Sequence, residues 1–538
     1  MKKPKHSRLG KPLTVAAIIL LSVSALPSAQ AQNADIIFSN AKILTVDNDF
    51  SIAQSLAIRG SRVLAVGTDQ AVGPHKGPAT RVINLQGKTV IPGLIDNHFH
   101  FIRSVWNYQN EVRLDGIKSR KTALSMISKK ARSTPPGDWI TVIGGWSSAQ
   151  FLDQPGDFSL VELDSAAPKN PLYMLRNYST HYANSMALKL AGLYPANGAK
   201  LRGRRSARPF NRFISWRNKS ASPQAIRSYM AALNTLGLTT VYDVGRPSEG
   251  KLEPLATLAA TGPMPLRVFH ALRYRATDKQ SAEDALQLIT KGRSRPLSMD
   301  AQFGLVGLGE HLYGPMHDRR NRRDPWPEDI WGPVRSLATA AAKHGWPIHE
   351  HTASRVTVSQ FLDLVEEIAL HTPKVKTLRW TLAHALGITE ADAKRAAGLG
   401  VGLSIHSSAI MNPRSQNLPL LGSIERSGVL WGLGSDGAIV APINPFLTLG
   451  WVVTGRNIAG KEAWTKDQRV SRKAALIAHT RSNAKLLFKE KEIGSLEAGK
   501  MADLVVLDHD FMTVPENEIA AIRPVLTMTG GRIVFERK

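Results

Sequence analysis

From about Gly93 to about Glu490 the chain repeats one unit, a short apolar run of β character followed by an amphipathic stretch of helical character. The β-like runs are WITVIGGW, PLYMLRN, TTVYDVG, LRVFHAL, QFGLVGLGE, WPIHEHT, RWTLAHA, VGLSIHS and LWGLGSD, with helical segments such as VSQFLDLVEEIALH and TEADAKRAAGLG between them. Parallel strands need crossovers of this length, and β-then-α repetition over roughly 400 residues favours an α/β fold closed as a (β/α)8 barrel. An open doubly wound sheet is the alternative, but the glycine-rich phosphate-cradling turn it often carries is missing.

The two ends of the chain follow a different rule. ADIIFSNAKILTV, SLAIRGSRVLAVG and TRVINLQGKTVIPG near the start, and MADLVVLDHDFMTV and VLTMTGGRIVFERK near the finish, are short strands punctuated by turn residues. Neither set alone has enough strands for a stable sandwich. The economical arrangement is one small β-sandwich from both ends, residues 32–92 and 491–538, with the barrel of residues 93–490 inserted between them.

Ahead of these lies a basic segment, MKKPKHSRLGK, then the apolar run LTVAAIILLSVSAL and PSAQAQ. Basic flank, short apolar stretch and the small residues Ala29 and Ala31 read as an export signal, residues 1–31, cleaved after Ala31. The apolar run falls short of the roughly 20 residues of a membrane span. The expected location is therefore the periplasm or the exterior, with no stable membrane span after cleavage.

Composition narrows the chemistry. There is no Cys among 538 residues, which excludes disulfides, thiolate metal sites and a Cys nucleophile, so a metal must rest on His and carboxylates. The formal charge is +26, and loss of the signal's five Lys/Arg leaves +21. Eight basic residues and no acid crowd into 195–222: Lys200, Arg202, Arg204, Arg205, Arg208, Arg212, Arg217 and Lys219. This stretch reads as an exposed loop. It suggests a polyanion or an acidic small-molecule substrate, with no specific nucleic acid expected.

Several β-like runs end in residues able to bind metal. In VIPGLIDNHFH, His98 and His100 stand two apart, so both imidazoles leave an extended chain on one side. Later runs end in Glu310, in His349 and His351, in His384 and in Asp436. A barrel delivers its strand ends to one rim, where active sites are built. His270, His311, His317, His344, His371, His406 and His479 read individually as surface or supporting residues, His406 being the best exception.

VIPGLIDNHFH, WTLAHA, GLGSD and IGSLEAGKMADLVVLD resemble the metal-dependent amidohydrolase superfamily, and the likeness covers nearly all of the chain after the signal. The branch it most resembles contains N-substituted formamide deformylases and imidazolonepropionase-like hydrolases. GGWSSAQF around Trp146 and PLYMLRNYSTHYANSMALKLAGL around His181 fit the same branch. The resemblance implies one metal on His98 and His100, a second on His351 and His384, and Asp436 as both ligand and proton shuttle. The cofactor would be one or two divalent ions, Zn(II) first among them. The activity would be hydrolysis of a non-peptide C–N bond, in an amide, an N-formyl group or a cyclic amide, by a metal-activated hydroxide. His181 and Trp146 would contact substrate.

Two departures from the family pattern stand out. Many relatives bridge two metals with a carboxylated Lys on the fourth strand, where this chain has Glu310. On the fifth strand HTASR replaces HAIGD, and register favours His351 over His349 as the ligand. Two other functions stay open at this stage: a regulatory or binding protein on the same scaffold, and a polyanion binder acting through residues 200–219.

Overall fold

The computed structural model describes residues 32–105, 108, 111–194, 198–214, 221–245, 249–317, 323–411 and 418–538. The expected export signal lies outside the described residues, as do Arg217 and Lys219.

Eight parallel strands form a nearly closed barrel: β1 (Leu94–Phe99), β2 (Leu238–Asp243), β3 (Arg267–Leu272), β4 (Phe303–Glu310), β5 (Ile348–Thr352), β6 (Thr381–His384), β7 (Gly402–His406) and β8 (Trp431–Gly434). Each pairs with its neighbours in chain order. Just beyond β8 the chain returns to β1, where Asp436 N–H donates to the His98 carbonyl (2.9 Å) and His100 N–H to the Gly437 carbonyl (3.1 Å). Side chains such as Leu94, Val241, Val268, Leu382 and Leu403 are buried in or against this sheet. The crossover helices form as their patterns predict. VSQFLDLVEEIALH lies in helix Arg355–His371, capped by Ser354. TEADAKRAAGLG supplies helix Glu390–Gly398, where Thr389 and Asp392 form a reciprocal capping box.

Two of the nine β-like runs leave the barrel. WITVIGGW and PLYMLRN belong to a separate four-stranded sheet inserted between β1 and β2, in the order Lys200–Arg202, Thr180–Ala183, Leu172–Asn177, Ile140–Ile143. An apolar run bounded by turns looks the same whichever sheet it joins, so periodicity could not separate them. This unit has its own core, with Trp146, Phe151, Phe158 and Tyr182 packed together. It docks on the segment after β8 through Arg113, whose guanidinium pairs with Glu111 and Asp115 and donates to the Ile143 and Ala438 carbonyls, both at 3.0 Å.

The basic stretch is also more structured than an exposed loop. Lys200–Arg202 is the edge strand of the inserted sheet, a 3₁₀ turn spans Arg204–Phe210, and Phe210 is buried. Phe210 packs on Tyr173, which supplies the apolar anchor that counting charges alone did not show.

At the other end of the barrel, both chain termini share a six-stranded sheet. Thr89–Pro92 pairs with Leu504–Leu507, Ile91 opposite Val505, and Leu504–Leu507 pairs onward with Pro524–Thr529. A four-stranded sheet made from residues 36–84 completes the layer, with Phe38, Ile43, Leu56, Val90, Leu504 and Met528 between the two. Arg267, at the start of β3, joins this layer to the barrel through two hydrogen bonds to Asp503, at 2.9 and 2.8 Å. No helix among the described residues is long and apolar enough to cross a membrane.

Candidate metal centre

The strand ends expected to carry chemistry meet inside the barrel. His98 and His100 project from β1 on one side, as their two-residue spacing requires. His98 Nε2 lies 3.8 Å from Glu310 Oε1 and 3.8 Å from Asp436 Oδ1, and His100 Nε2 lies 3.0 Å from Asp436 Oδ1. On the other side, His351 Nδ1 is 2.7 Å from Glu310 Oε1, and His384 Nε2 is 3.4 Å from the same oxygen. His384 Nδ1 is 3.9 Å from Asp436 Oδ2. His384 and Asp436 both adopt left-handed backbone, with φ of 69° and 56°. Such conformations cost a non-glycine residue about 1–2 kcal/mol and recur where a site dictates the direction of a side chain.

His98 Nε2 is completely buried and has no hydrogen-bond partner, which is the state of a nitrogen that a metal ion would satisfy. Three overlapping groups can hold a cation: His98, His100 and Glu310; Glu310, His351 and His384; and His98, His384, His406 and Asp436. Neutral imidazoles and carboxylates are the donors that Zn(II) and its neighbours prefer. Burial, together with the nearby His406, drives the His98 imidazole well below its ordinary pKa, so it stays neutral and able to ligate. Burial opposes ionisation of Glu310, but hydrogen bonds from His351 and His384 hold its carboxyl well below the usual range. The residues therefore fit a metal.

A buried network behind these residues orients them. His349 Nε2 is 2.9 Å from His98 Nδ1. His406 Nδ1 is 2.8 Å from His384 Nδ1, and Ser404 connects His406 to Asn97. Asn97 continues to Asn483, on helix Arg481–Leu486, at 2.7 Å. Asp96 accepts from the N–H groups of His98 and Ser435, tying β1 to the end of β8, and its burial pushes its carboxyl up to about 7. Gly245, just after β2, packs so closely on His100 Nδ1 that a methyl group there would overlap the ring.

The sequence reading missed Asp96, Asn97, Ser404 and Asn483, because polar residues in apolar runs carry no local mark of the partner they find. His406 was marked only by its place at a strand end.

The two residues expected to contact substrate stand apart from this cluster. Trp146 is 1% exposed, stacks among Phe151, Phe158 and Tyr182, and donates its ring N–H to the Leu175 carbonyl. Its satisfied, enclosed indole is core, which corrects the substrate role read for it. His181 lies in the inserted sheet with Nδ1 2.8 Å from Tyr173 Oη and a buried, unpartnered Nε2. The basic stretch does reach the rim. Arg204 and Arg103 both lie over the Tyr178 ring, at 5.4 and 5.7 Å, and Arg103 follows His100 by three residues.

The amidohydrolase family profile matches residues 81–535. Protein LONG AFTER FAR-RED 3 of Arabidopsis thaliana is 26% identical over 93% of this chain and 92% of its own length. N-substituted formamide deformylase of Arthrobacter pascens is 24% identical over 94% of this chain and 99% of its own. Among solved structures, atrazine chlorohydrolase from Arthrobacter aurescens TC1, complexed with zinc, shares the fold with a TM-score of 0.54 at 17% identity, covering 93% and 95% of the two chains. Fold, site and likeness together define a metal-dependent hydrolase of carbon–nitrogen bonds. The chain belongs to the amidohydrolase family.

Proposed function

We propose that this is an exported hydrolase that cleaves an amide, N-formyl or cyclic amide bond, with Asp436 as the proton shuttle. The single observation that carries the reading is the position of Asp436. Its carboxylate lies 3.0 Å from His100 and within 4 Å of both His98 and His384, at the mouth of the barrel. Glu310 belongs to two of the ligand groups, so together with His98, His100, His351, His384 and Asp436 it would hold one or two divalent ions, Zn(II) in the first instance. Ions held there would supply Lewis acidity, lowering the pKa of water and polarising a carbonyl.

The protein's own groups do the rest. Asp436 accepts the proton of the attacking water and returns it to the departing nitrogen, which leaves only once protonated. His349 and His406 hold His98 and His384 in fixed orientations, so that the ligands are set before substrate arrives. His181 is assigned to substrate, its unpartnered Nε2 being the group that can donate to a carbonyl oxygen. Basic residues at the rim, Arg103 and Arg204, favour a small substrate with acidic character. Export rests on the segment of residues 1–31.

A regulatory protein on the same scaffold would tolerate loss of ligands, whereas His98, His100, Glu310, His351, His384 and Asp436 are all present and convergent. A polyanion binder would need its basic stretch free. Here Lys200 pairs with Asp157 and Arg212 donates to the Leu190 carbonyl.

The test is a panel of N-acyl and N-formyl amines, lactams and esters offered to zinc-loaded protein and to its Asp436→Asn variant. Turnover of an amide or lactam that falls at least 100-fold in the variant, with the circular dichroism spectrum unchanged, is expected. Full activity in Asp436→Asn would end the proposed mechanism.

A further inference from the structure

Arg103 is a charged side chain that the protein satisfies on one side only. It stands in the helix Phe101–Val105, which begins directly after His100. Ser104 ties this helix to His100, its N–H and its hydroxyl both donating to the His100 carbonyl, at 3.1 and 2.7 Å. Three residues of helix advance the chain by about 4.5 Å, so Arg103 springs from less than one turn beyond the centre. Its Nη1 donates to Tyr178 Oη at 2.7 Å, and its guanidinium lies 5.7 Å from the centre of that ring. Tyr178 belongs to the turn between Leu172–Asn177 and Thr180–Ala183 of the inserted sheet. Barrel and inserted sheet thus fix the side chain between them.

The opposite edge has no such partner. Nε and Nη2 are buried, and neither has a hydrogen-bond partner among the described residues. Asp243 feels the charge of Arg103, but its two oxygens accept from the Ile102 and Gly245 N–H groups, at 2.7 and 2.8 Å. Buried donors are rarely left unpaired, and a cation shielded from water calls for a counter-charge. In a planar guanidinium, Nε–H and one N–H of Nη2 run parallel along one edge, spaced to meet the two oxygens of a carboxylate. With Nη1 anchored on Tyr178, that edge is the part left to a ligand. Arg204, on the exposed basic stretch, lies 5.4 Å over the same tyrosine ring and adds positive charge to the approach.

We propose that the Nε–Nη2 edge of Arg103 receives a carboxylate of the substrate, so that the enzyme selects N-acyl compounds, N-formyl compounds or cyclic amides bearing a carboxylate close to the scissile bond. Tyr178 is the positioning residue that aims the edge. This selection rests on the hydrolase reading and narrows it from acidic character in general to one functional group and the residue that recognises it.

The experiment offers zinc-loaded full-length protein a series of N-formyl amino acids, N-acetyl amino acids and lactam carboxylic acids. Each is paired with its carboxamide, which keeps the scissile bond and lacks the charge. Wild-type kcat/KM is expected to favour the acid by about 10- to 100-fold, the worth of a charge-assisted hydrogen bond. Arg103→Met is expected to bring the ratio of acid to carboxamide near one with zinc content kept. Arg103→Lys is expected to restore only part of the ratio, since an ammonium lacks the paired edge. Tyr178→Phe is expected to raise KM for the acid with little change in kcat. Calorimetric binding of the same pairs to the Asp436→Asn protein reads recognition apart from turnover. Equal kcat/KM for acid and carboxamide, or a preference that survives in Arg103→Met, would overturn the assignment and leave the hydrolase reading standing. Tighter binding of the acids that depends on Arg103, with no pair turned over, would do the reverse. Neither binding nor turnover of any pair would sink both.

Discussion

His98 on β1 and His349 on β5 face each other across the barrel, Nδ1 to Nε2 at 2.9 Å, and both rings are buried. This contact occupies the Nδ1 of His98 and leaves Nε2 pointing between Glu310 and Asp436. Two histidines on the same face of β5 thus do different work. His351 joins Glu310 and His384, while His349 holds a ligand from behind.

The first prediction follows from that contact. His349→Ala removes the partner that orients His98, and metal affinity is expected to fall by about 10- to 100-fold, the usual effect of deleting such a support. His349→Gln, which keeps a polar group near the same place, is expected to recover part of the loss. Dialysis against buffered zinc measures both, and unchanged affinity in His349→Ala would remove the assigned role.

Gly245→Ala tests the packing around His100. The added methyl group overlaps Nδ1 of a buried ring whose Nε2 is engaged by Asp436, so the ring must tilt away from the centre. Reduced zinc content in a folded protein is the expected outcome, read by elemental analysis alongside thermal unfolding. Wild-type content would show that the ring has room to move.

The pair of Arg267 and Asp503 gives the C-terminal GKMADLVVLD motif a structural purpose. Both side chains are 4% exposed, and they are joined by two hydrogen bonds. Breaking a buried pair by removing one partner typically costs about 3–5 kcal/mol, because the other charge stays buried without compensation. Asp503→Asn is expected to lower the urea midpoint strongly while leaving metal content intact in the protein that remains folded. A loss below about 1 kcal/mol would contradict the assignment.

Acid should weaken the fold in a defined window. Burial pushes the imidazoles of His270 and His479 down to about 4, whereas an unfolded chain holds them near 6.5. Between those limits the unfolded state binds protons that the folded state excludes, so stability is intact above pH 6.5 and falls as pH drops towards 4. The slope is at most about 1.4 kcal/mol per pH unit for each imidazole. Urea unfolding at pH 7 and pH 5 measures it, and His479→Gln is expected to flatten it. Equal stability of the wild-type protein at the two pH values would count against the cause given.

Much of the site was legible because its residues sit at positions with a local signature. His98 and His100 share a face through strand periodicity, and Glu310, His384 and Asp436 close apolar runs that only a barrel would bring to one rim. Trp146 misled for the opposite reason. A tryptophan in a glycine-rich turn looks the same whether it lines a pocket or fills a core, and here the inserted sheet encloses it.

What the amino-acid sequence determined by itself is the barrel and the layer shared by both chain ends, which follow from hydrophobic period and turn chemistry over a few residues, and the strand-end His and carboxylate residues that converge in the barrel. The tertiary structure alone decided that WITVIGGW and PLYMLRN form a separate sheet and that Asn483 supports His384 through Asn97, Ser404 and His406. Those relationships join residues far apart in the chain, and they exist only once folding brings the polar groups together and burial removes water as their alternative partner.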